Sequence, residues 1–298
     1  MAINSYDSLD KAIRGCFGDD VRLGRNTRML PSDINSTKVV ELTNGKSVFL
    51  KCNSIRNSAF FDAEEVGLAA MAKTNTVKTP ELYCKGTDKK LNMSFLMMEL
   101  IETGAENKRA QGVFGQCLAN MHLADASEFV EGGKYGFVSD NFIGATKQIN
   151  TPKDSWIDFF RECRLEPQIR MAQKGLTPIM KDVYKLLDRL DDLLVEPEHP
   201  SLLHGDMWGG NHIYDRNSGV VLIDPAVYVG HYEADIAMTE MFKPFPRLFY
   251  ENYQSKIPRQ EGFADRKDIY NLYHYLNHYN LFGDSYLMSV KNIVLRYS

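Results

Sequence analysis

The chain has 298 residues, 44% hydrophobic and 25% charged, with a formal net charge of −4. That composition is enough for a sizeable core and fits one large domain or two lobes sharing a cleft. It speaks against a nucleic-acid partner, since no Lys/Arg run is long enough to follow a phosphate backbone, and no apolar run reaches the roughly 18 residues that span a bilayer.

The N-terminal stretch "MAINSYDSLDKAIRG" lacks the apolar core of a signal peptide. The five cysteines, Cys16, Cys52, Cys84, Cys117 and Cys163, are scattered and never spaced C-x-x-C. This reads as reduced thiols in a cytoplasmic protein rather than a disulfide framework or zinc ribbon.

Thr37 to Leu42 and Ser47 to Cys52 alternate as strands, joined by a hairpin at Asn44-Gly45. A helix is expected from about Phe60 to Lys73, then strands in "TPELYCKG" and "SFLMMEL". Beyond about Glu102 the pattern turns helical, with Val113, Cys117, Leu118 and Met121 on one stripe and Trp156, Phe159, Phe160 and Cys163 on another. Pro167 predicts a kink or restart. Thr177-Pro178 reads as an N-cap and first helical position, opening a helix to about Val195. Two more helices are expected, from about Asp265 to Leu281 and from Asp284 to Tyr297. The chain is therefore expected to be α+β, with a small strand-rich lobe, residues 1–101, and a larger helical lobe, residues 102–298, meeting at a cleft.

One charge falls where a core residue belongs. Phe61, Leu68 and Met71 define the apolar stripe of the first helix, and Glu64 lies within it, whereas Glu65 falls near its edge. An inward carboxylate is costly unless a cation meets it, and Lys51 on the preceding strand is the nearest candidate. The alternative is a solvated Glu64 at the lobe margin. A strand lysine held by a helix glutamate is the arrangement that aims an ammonium at ATP phosphates in kinase-like folds.

The densest chemistry is "LLHGDMWGGNHIYD", Leu202 to Asp215. Asn211 follows Asp206 by five residues, and a strand, a turn at 216–219 and a second strand lead to Asp224. A hairpin of that length brings its far end back, so Asp206, Asn211 and Asp224 can converge. Protein kinases use the same offsets for a base and two metal-binding oxygens. A carboxylate can take a substrate hydroxyl's proton, and two hard oxygen ligands suit Mg²⁺. Zinc would need three or four N/S ligands, and His204, His212 and His231 are untypically spaced. A phosphate-cradling G-x-x-x-x-G-K-[ST] loop is absent. His204 reads as a brace for the loop rather than a proton-transfer group.

On these residues the chain resembles the fructosamine kinase (ketosamine-3-kinase) family, a branch of the protein-kinase-like fold near the aminoglycoside and choline kinases. "SVFLKCN" and "FFDAEEVGLAAM" resemble its lysine strand and glutamate helix. "KYGFVSDNFIGATKQIN" with "SWIDFFRECRL" resembles its insert, and "LLHGDMWGGN" with "LIDPAVYVGHYEADIAMTEMF" its catalytic and metal loops. The resemblance implies a bilobal fold, with a small antiparallel sheet and one key helix in the N-lobe and a larger, mainly helical C-lobe. It makes Asp206 the base, Asn211 and Asp224 the Mg²⁺ ligands, and Lys51, held by Glu64, the contact to the ATP phosphates. Met98 would stand behind the adenine, with hinge hydrogen bonds from the backbones of Glu99 and Ile101. Trp208 is a candidate platform for a sugar, with lobe packing as the alternative. Of Glu233 and Asp235, one is expected to pair with a base in a structural role. The glycines common in the family's phosphate-covering loop are missing from "LPSDINSTK", where Ser32 and Ser36 are possible donors and Asp33 would repel a phosphate.

The expected activity is ATP- and Mg²⁺-dependent phosphorylation of the 3-hydroxyl of a ketosamine, free or on a glycated protein, leading to deglycation. An aminoglycoside- or choline-type phosphotransferase and a nucleotide-binding pseudokinase are the alternatives.

Overall fold

The computed structural model describes residues 2–31, 34–216 and 219–298. Its first hundred residues form a six-stranded sheet of β1 (Asn4–Tyr6), β2 (Leu23–Leu30), β3 (Ser36–Leu42), β4 (Ser47–Ser54), β5 (Leu82–Asp88) and β6 (Met93–Glu99), in the order β1-β5-β6-β4-β3-β2. Strand alternation sorts its side chains into two layers. Val40, Val48, Leu50, Cys52, Phe95 and Met97 face α1 (Leu9–Phe17) and pack on its Leu9, Ala12 and Ile13. Phe49, Leu96 and Met98 face the other way and pack on Phe61 of α2 (Ser58–Lys73). Register places Lys51 beside Leu96 and Phe49 beside Met98, so the lysine shares this inner face. The β3–β4 hairpin turns at Gly45, whose φ of 83° is the left-handed value expected of Asn-Gly.

Two features lie outside the sequence expectation. Strand β1 pairs with β5 in parallel, so the otherwise antiparallel sheet has one parallel edge. Helix α1 covers the outer face; the Ser8 side chain caps it by accepting from Lys11 N–H at 3.3 Å. Glu65, expected near an edge, is buried. It accepts from Ile3 N–H at 2.8 Å and meets Lys85 at 2.8 Å, fastening β1 and β5 to α2.

The helical part begins with α3 (Lys108–Leu123). Its buried stripe runs through Phe114, Leu118 and Met121, packed on α9 (Arg247–Gln254), while Val113 is exposed, one position off that stripe. A hairpin, β7 (Asn141–Ile143) and β8 (Thr146–Gln148), precedes α4 (Trp156–Phe159), where Trp156, Phe159, Phe160 and Cys163 are all buried as expected. A π-helical turn, Phe160–Leu165, then leads into α5 (Glu166–Leu176). Pro167 explains the restart, because it has no N–H to offer the carbonyl four residues back. That carbonyl, of Cys163, accepts from the Arg164 guanidinium at 3.0 Å instead.

Thr177 does not cap a helix. It has helical backbone angles (φ −45°, ψ −44°), and its hydroxyl donates back to Gln173 C=O at 3.0 Å. A 3₁₀ turn follows, then α6 (Met180–Asp188) and, after a break at Arg189, α7 (Leu190–Leu193). Strands β9 (Ser201–Leu203) and β12 (Tyr228–Gly230) pair antiparallel and flank the hairpin of β10 (His212–Asp215) and β11 (Gly219–Leu222). Helices α8 (Glu233–Thr239), α10 (Phe263–Phe282) and α11 (Leu287–Tyr297) complete the core. The five cysteines are free thiols. Among the described residues, no helix is long and apolar enough to cross a membrane.

Candidate active site

A cleft of about 930 Å³ opens beneath the sheet's inner face, lined by Glu64, Asp206, Trp208, Asn211 and Asp224 among others. The loop bearing Asp206 leaves β9 at His204-Gly205. Gly205 has φ +80° and lies against the Ala226 carbonyl, where a Cβ would collide. The buried Asp235 of α8 holds this turn, accepting from His204 N–H at 2.7 Å and Gly205 N–H at 2.9 Å. His122 of α3 meets the same carboxylate at 3.2 Å.

His204 joins the two loops, as its expected bracing role requires. Its Nε2–H donates to Ile223 C=O at 3.0 Å, since a carbonyl can only accept. That leaves Nδ1 to accept from Asp206 N–H at 3.3 Å. Burial lowers the pKa of this imidazole and keeps it neutral.

Asn211 turns back on Asp206, its Nδ2 donating to the Asp206 carbonyl and to Oδ2, both at 2.8 Å. The hairpin returns as the sequence implies, with His212 opposite Leu222 and Ile223 N–H donating to Asn211 C=O at 3.1 Å. Asp224 follows in the left-handed region, φ +55°. Lys51 contacts both the Glu64 and Asp224 carboxylates, so the strand lysine, helix glutamate and hairpin aspartate form one cluster. Burial pushes the Asp206 carboxyl up to about 7, the hydrogen bond from Asn211 opposes this, and the charge of Asp235 adds to it. A half-buried carboxyl held at that level suits proton acceptance near neutral pH.

The remaining predicted residues are placed as follows. Trp208 is 39% exposed, meets Phe242 edge-on at 6.0 Å and lies over Gly210, whose missing side chain makes room for the ring. Met98 is buried on the sheet's inner face. The Glu99 N–H is taken by Glu81 C=O at 2.8 Å, so only its carbonyl is left as a candidate hinge group. Ile101 is half-buried just beyond β6. Of the glycine-free stretch, Pro31, Ile34 and Asn35 line the cleft and Ser36 opens β3; Ser32 and Asp33 lie outside the described residues. Glu233 pairs with Arg266 through two hydrogen bonds, at 2.7 and 2.8 Å, in a buried structural role.

Sequence reasoning missed two supports. Asp235 clamps the Asp206 loop, and its signal was present as a second acid in the apolar run "YVGHYEADIAM". The β7–β8 hairpin braces the other side, Gln148 donating to Ala226 C=O at 2.9 Å and Asn141 to Val227 C=O at 2.7 Å. For a divalent cation, the Asn211 Oδ1, which has no hydrogen bond among the described residues, and the Asp224 carboxylate are hard oxygen donors of the right kind.

Bilobal organisation, a lysine–glutamate–aspartate cluster and an Asp–Asn loop beneath a mixed sheet define a protein-kinase-like phosphotransferase fold, shared at low identity with macrolide phosphotransferases. Within that class the chain belongs to the fructosamine kinase family, whose model matches residues 6–297. It is 39% identical to a probable ketoamine kinase of Synechocystis over 249 residues, covering 83% of this chain and 81% of the relative. It is also 39% identical to the chloroplastic protein-ribulosamine 3-kinase of Arabidopsis thaliana over 258 residues, covering 85% and 76%. A solved protein of Haemophilus somnus, assigned as a fructosamine-3-kinase, superposes with a TM-score of 0.84 at 28% identity, covering 97% of this chain and 96% of that one.

Proposed function

We propose that the chain is an ATP-dependent kinase that phosphorylates the 3-hydroxyl of a ketosamine, free or on a glycated protein, and so initiates deglycation. The observation that carries this reading is the meeting of Asp206, Asn211, Asp224, Lys51 and Glu64 at one cleft in a member of this family. Residues 1–101 would bind nucleotide, with Met98 behind the adenine and the backbones of Glu99 and Ile101 along its edge. Residues 102–298 would carry the acceptor, with Trp208 under the sugar.

In the reaction the acceptor oxygen attacks the γ-phosphorus, its proton passes to Asp206, and ADP leaves. Asn211 fixes Asp206 through Oδ2 and leaves Oδ1 of the carboxylate for the hydroxyl. Lys51, positioned by Glu64, holds the phosphates. Mg²⁺ held by Asn211 and Asp224 would neutralise charge on the transferring group. Most of the acceleration then comes from positioning and charge neutralisation in a water-poor cleft. The five free thiols fit action in the reducing cytoplasm.

The test is an ATP-consumption screen with Mg²⁺ over fructosyl-lysine, ribulosyl-lysine, simple sugars, choline and aminoglycosides. Turnover confined to the first two, with phosphate on the 3-oxygen by NMR, is expected. Turnover only on choline or an aminoglycoside would replace the substrate class. Lack of any nucleotide-dependent thermal shift would point to a protein that is not a kinase.

A further inference from the structure

The half of the cleft away from Lys51 is an aromatic wall built around one imidazole. Along it Trp208 meets Phe242 at 6.0 Å, and Phe242 meets His278 at 5.2 Å. The His278 ring in turn meets Tyr286 at 5.0 Å and Phe282 at 5.6 Å. All five side chains line the same cleft as Asp206. Among the described residues that line it there is no Lys or Arg, and its only carboxylates are Glu64, Asp206 and Asp224.

His278 is held in one tautomer. Its Nδ1 lies 2.7 Å from the carbonyl of His274, one turn earlier on α10. A carbonyl accepts only, so Nδ1 carries the proton and a neutral ring presents a lone pair at Nε2. Burial lowers the pKa of this ring, which keeps that lone pair available at neutral pH. Nε2 has no hydrogen-bond partner among the described residues, and the His278 side chain lines the cleft. Aromatic faces attract a cation, and an imidazole lone pair accepts its N–H. With no lysine or arginine on this wall, nothing repels a positive ligand, and nothing there pairs an anionic one.

We propose that His278 is the specificity-determining residue for the amine of a ketosamine, accepting a hydrogen bond from its protonated nitrogen while Trp208, Phe242, Phe282 and Tyr286 surround the positive charge. This rests on the ketosamine-kinase reading and names which part of that substrate lies where. The sugar's reacting hydroxyl faces Asp206, and the amine with its substituent lies along α10 toward Tyr286.

The experiment compares two acceptors of the same shape, 1-butylamino-1-deoxyfructose and 1-O-butyl-fructose, in which an ether oxygen replaces the amine nitrogen. The wild-type enzyme is expected to favour the amine by about tenfold to a hundredfold in kcat/KM, expressed in KM, as for a hydrogen bond to a charged group. His278→Leu should lose most of that preference and leave the KM for ATP unchanged, whereas His278→Gln, which keeps an acceptor, should retain much of it. An equal preference in wild type and His278→Leu would overturn the proposal, since the loss would then be general and not tied to the amine. Should the leucine variant fail to fold, the wild type decides alone, and equal kcat/KM on amine and ether overturns it. A wild-type enzyme that binds ATP but phosphorylates no ketosamine refutes the underlying reading instead.

Discussion

Replacing Asp206 by Asn separates catalysis from stability in a way that few other substitutions here would. The wild-type carboxyl sits at about 7 against an ordinary value of 3.8 because burial disfavours its charged form. Its folded-state pKa is raised, so the stability it contributes is complete below pH 3.8 and is lost as pH rises through 7. An asparagine does not titrate. Linkage therefore predicts that, without metal or nucleotide, Asp206→Asn gains on the wild type by about 2 kcal/mol between pH 5.5 and pH 8. Over the same range its turnover should fall by at least ~10²-fold, the usual contribution of a positioned general base, with ATP binding retained. Urea unfolding at several pH values, in EDTA, reads the first quantity, and coupled ADP release reads the second. A stability gap that stays flat with pH would refute a carboxyl held half-protonated near neutral pH. A variant keeping a tenth or more of wild-type turnover would refute its role as base.

Four further substitutions, at Asp235, Lys51, Glu64 and the buried His274, extend these tests. Asp235→Asn leaves one of the His204 and Gly205 N–H groups without an acceptor; the expected cost is ~1–3 kcal/mol by urea unfolding, with kcat falling on the order of 10²-fold as the loop shifts. Lys51→Met strips the cation from the half-buried Glu64 and should destabilise by roughly 3 kcal/mol and abolish the ATP thermal shift, while adding Glu64→Gln recovers part of the stability but none of the shift. The buried His274, whose pKa burial lowers to about 3, is folded neutral, so its stabilising effect is present above pH 6.5 and lost as pH falls toward 3. Between pH 7 and pH 5 the wild type should therefore lose about 2 kcal/mol more than His274→Leu in parallel urea titrations.

The residues that sequence reading found are those whose chemistry is locally out of place. Glu64 stood in an apolar stripe, and Asp206, Asn211 and Asp224 sat at hairpin spacing and at the offsets of kinase-like folds, so local pattern together with that resemblance brought them together. The misses have long-range causes. Strand β1 is three residues long and shows no alternation of its own; it becomes a strand only because β5 lies beside it and Glu65 receives its Ile3 N–H, 62 residues away in sequence. The Asp235 clamp spans about thirty residues to a backbone N–H, so the acid stood out in its apolar run but its partner did not. Thr177 misled because a threonine before proline resembles a cap, but its hydroxyl can equally be satisfied by the preceding turn. His278 was hidden by composition, as one of several polar rings in the run "LYHYLNHYNLF" on α10, and only the fold shows which of them reaches the cleft.

The charge balance of the site explains why Asn211 cannot be a third acid. Among the described residues, three carboxylates, of Glu64, Asp206 and Asp224, line the cleft, and Lys51 pairs with Glu64 and Asp224. The uncompensated carboxyl is Asp206, and its answer to burial is to keep a proton up to about pH 7. A carboxylate at position 211 would add another negative charge within hydrogen-bond distance of Asp206. It would also lose the Nδ2 donor that holds both the Asp206 carbonyl and Oδ2, so that acceptors would face acceptors. An amide avoids both penalties, because its N–H₂ restrains the base while its oxygen still offers a hard ligand to a divalent cation. In the proposed reaction, a divalent cation held by that oxygen and Asp224 would set a positive charge near the one carboxyl that Lys51 does not reach.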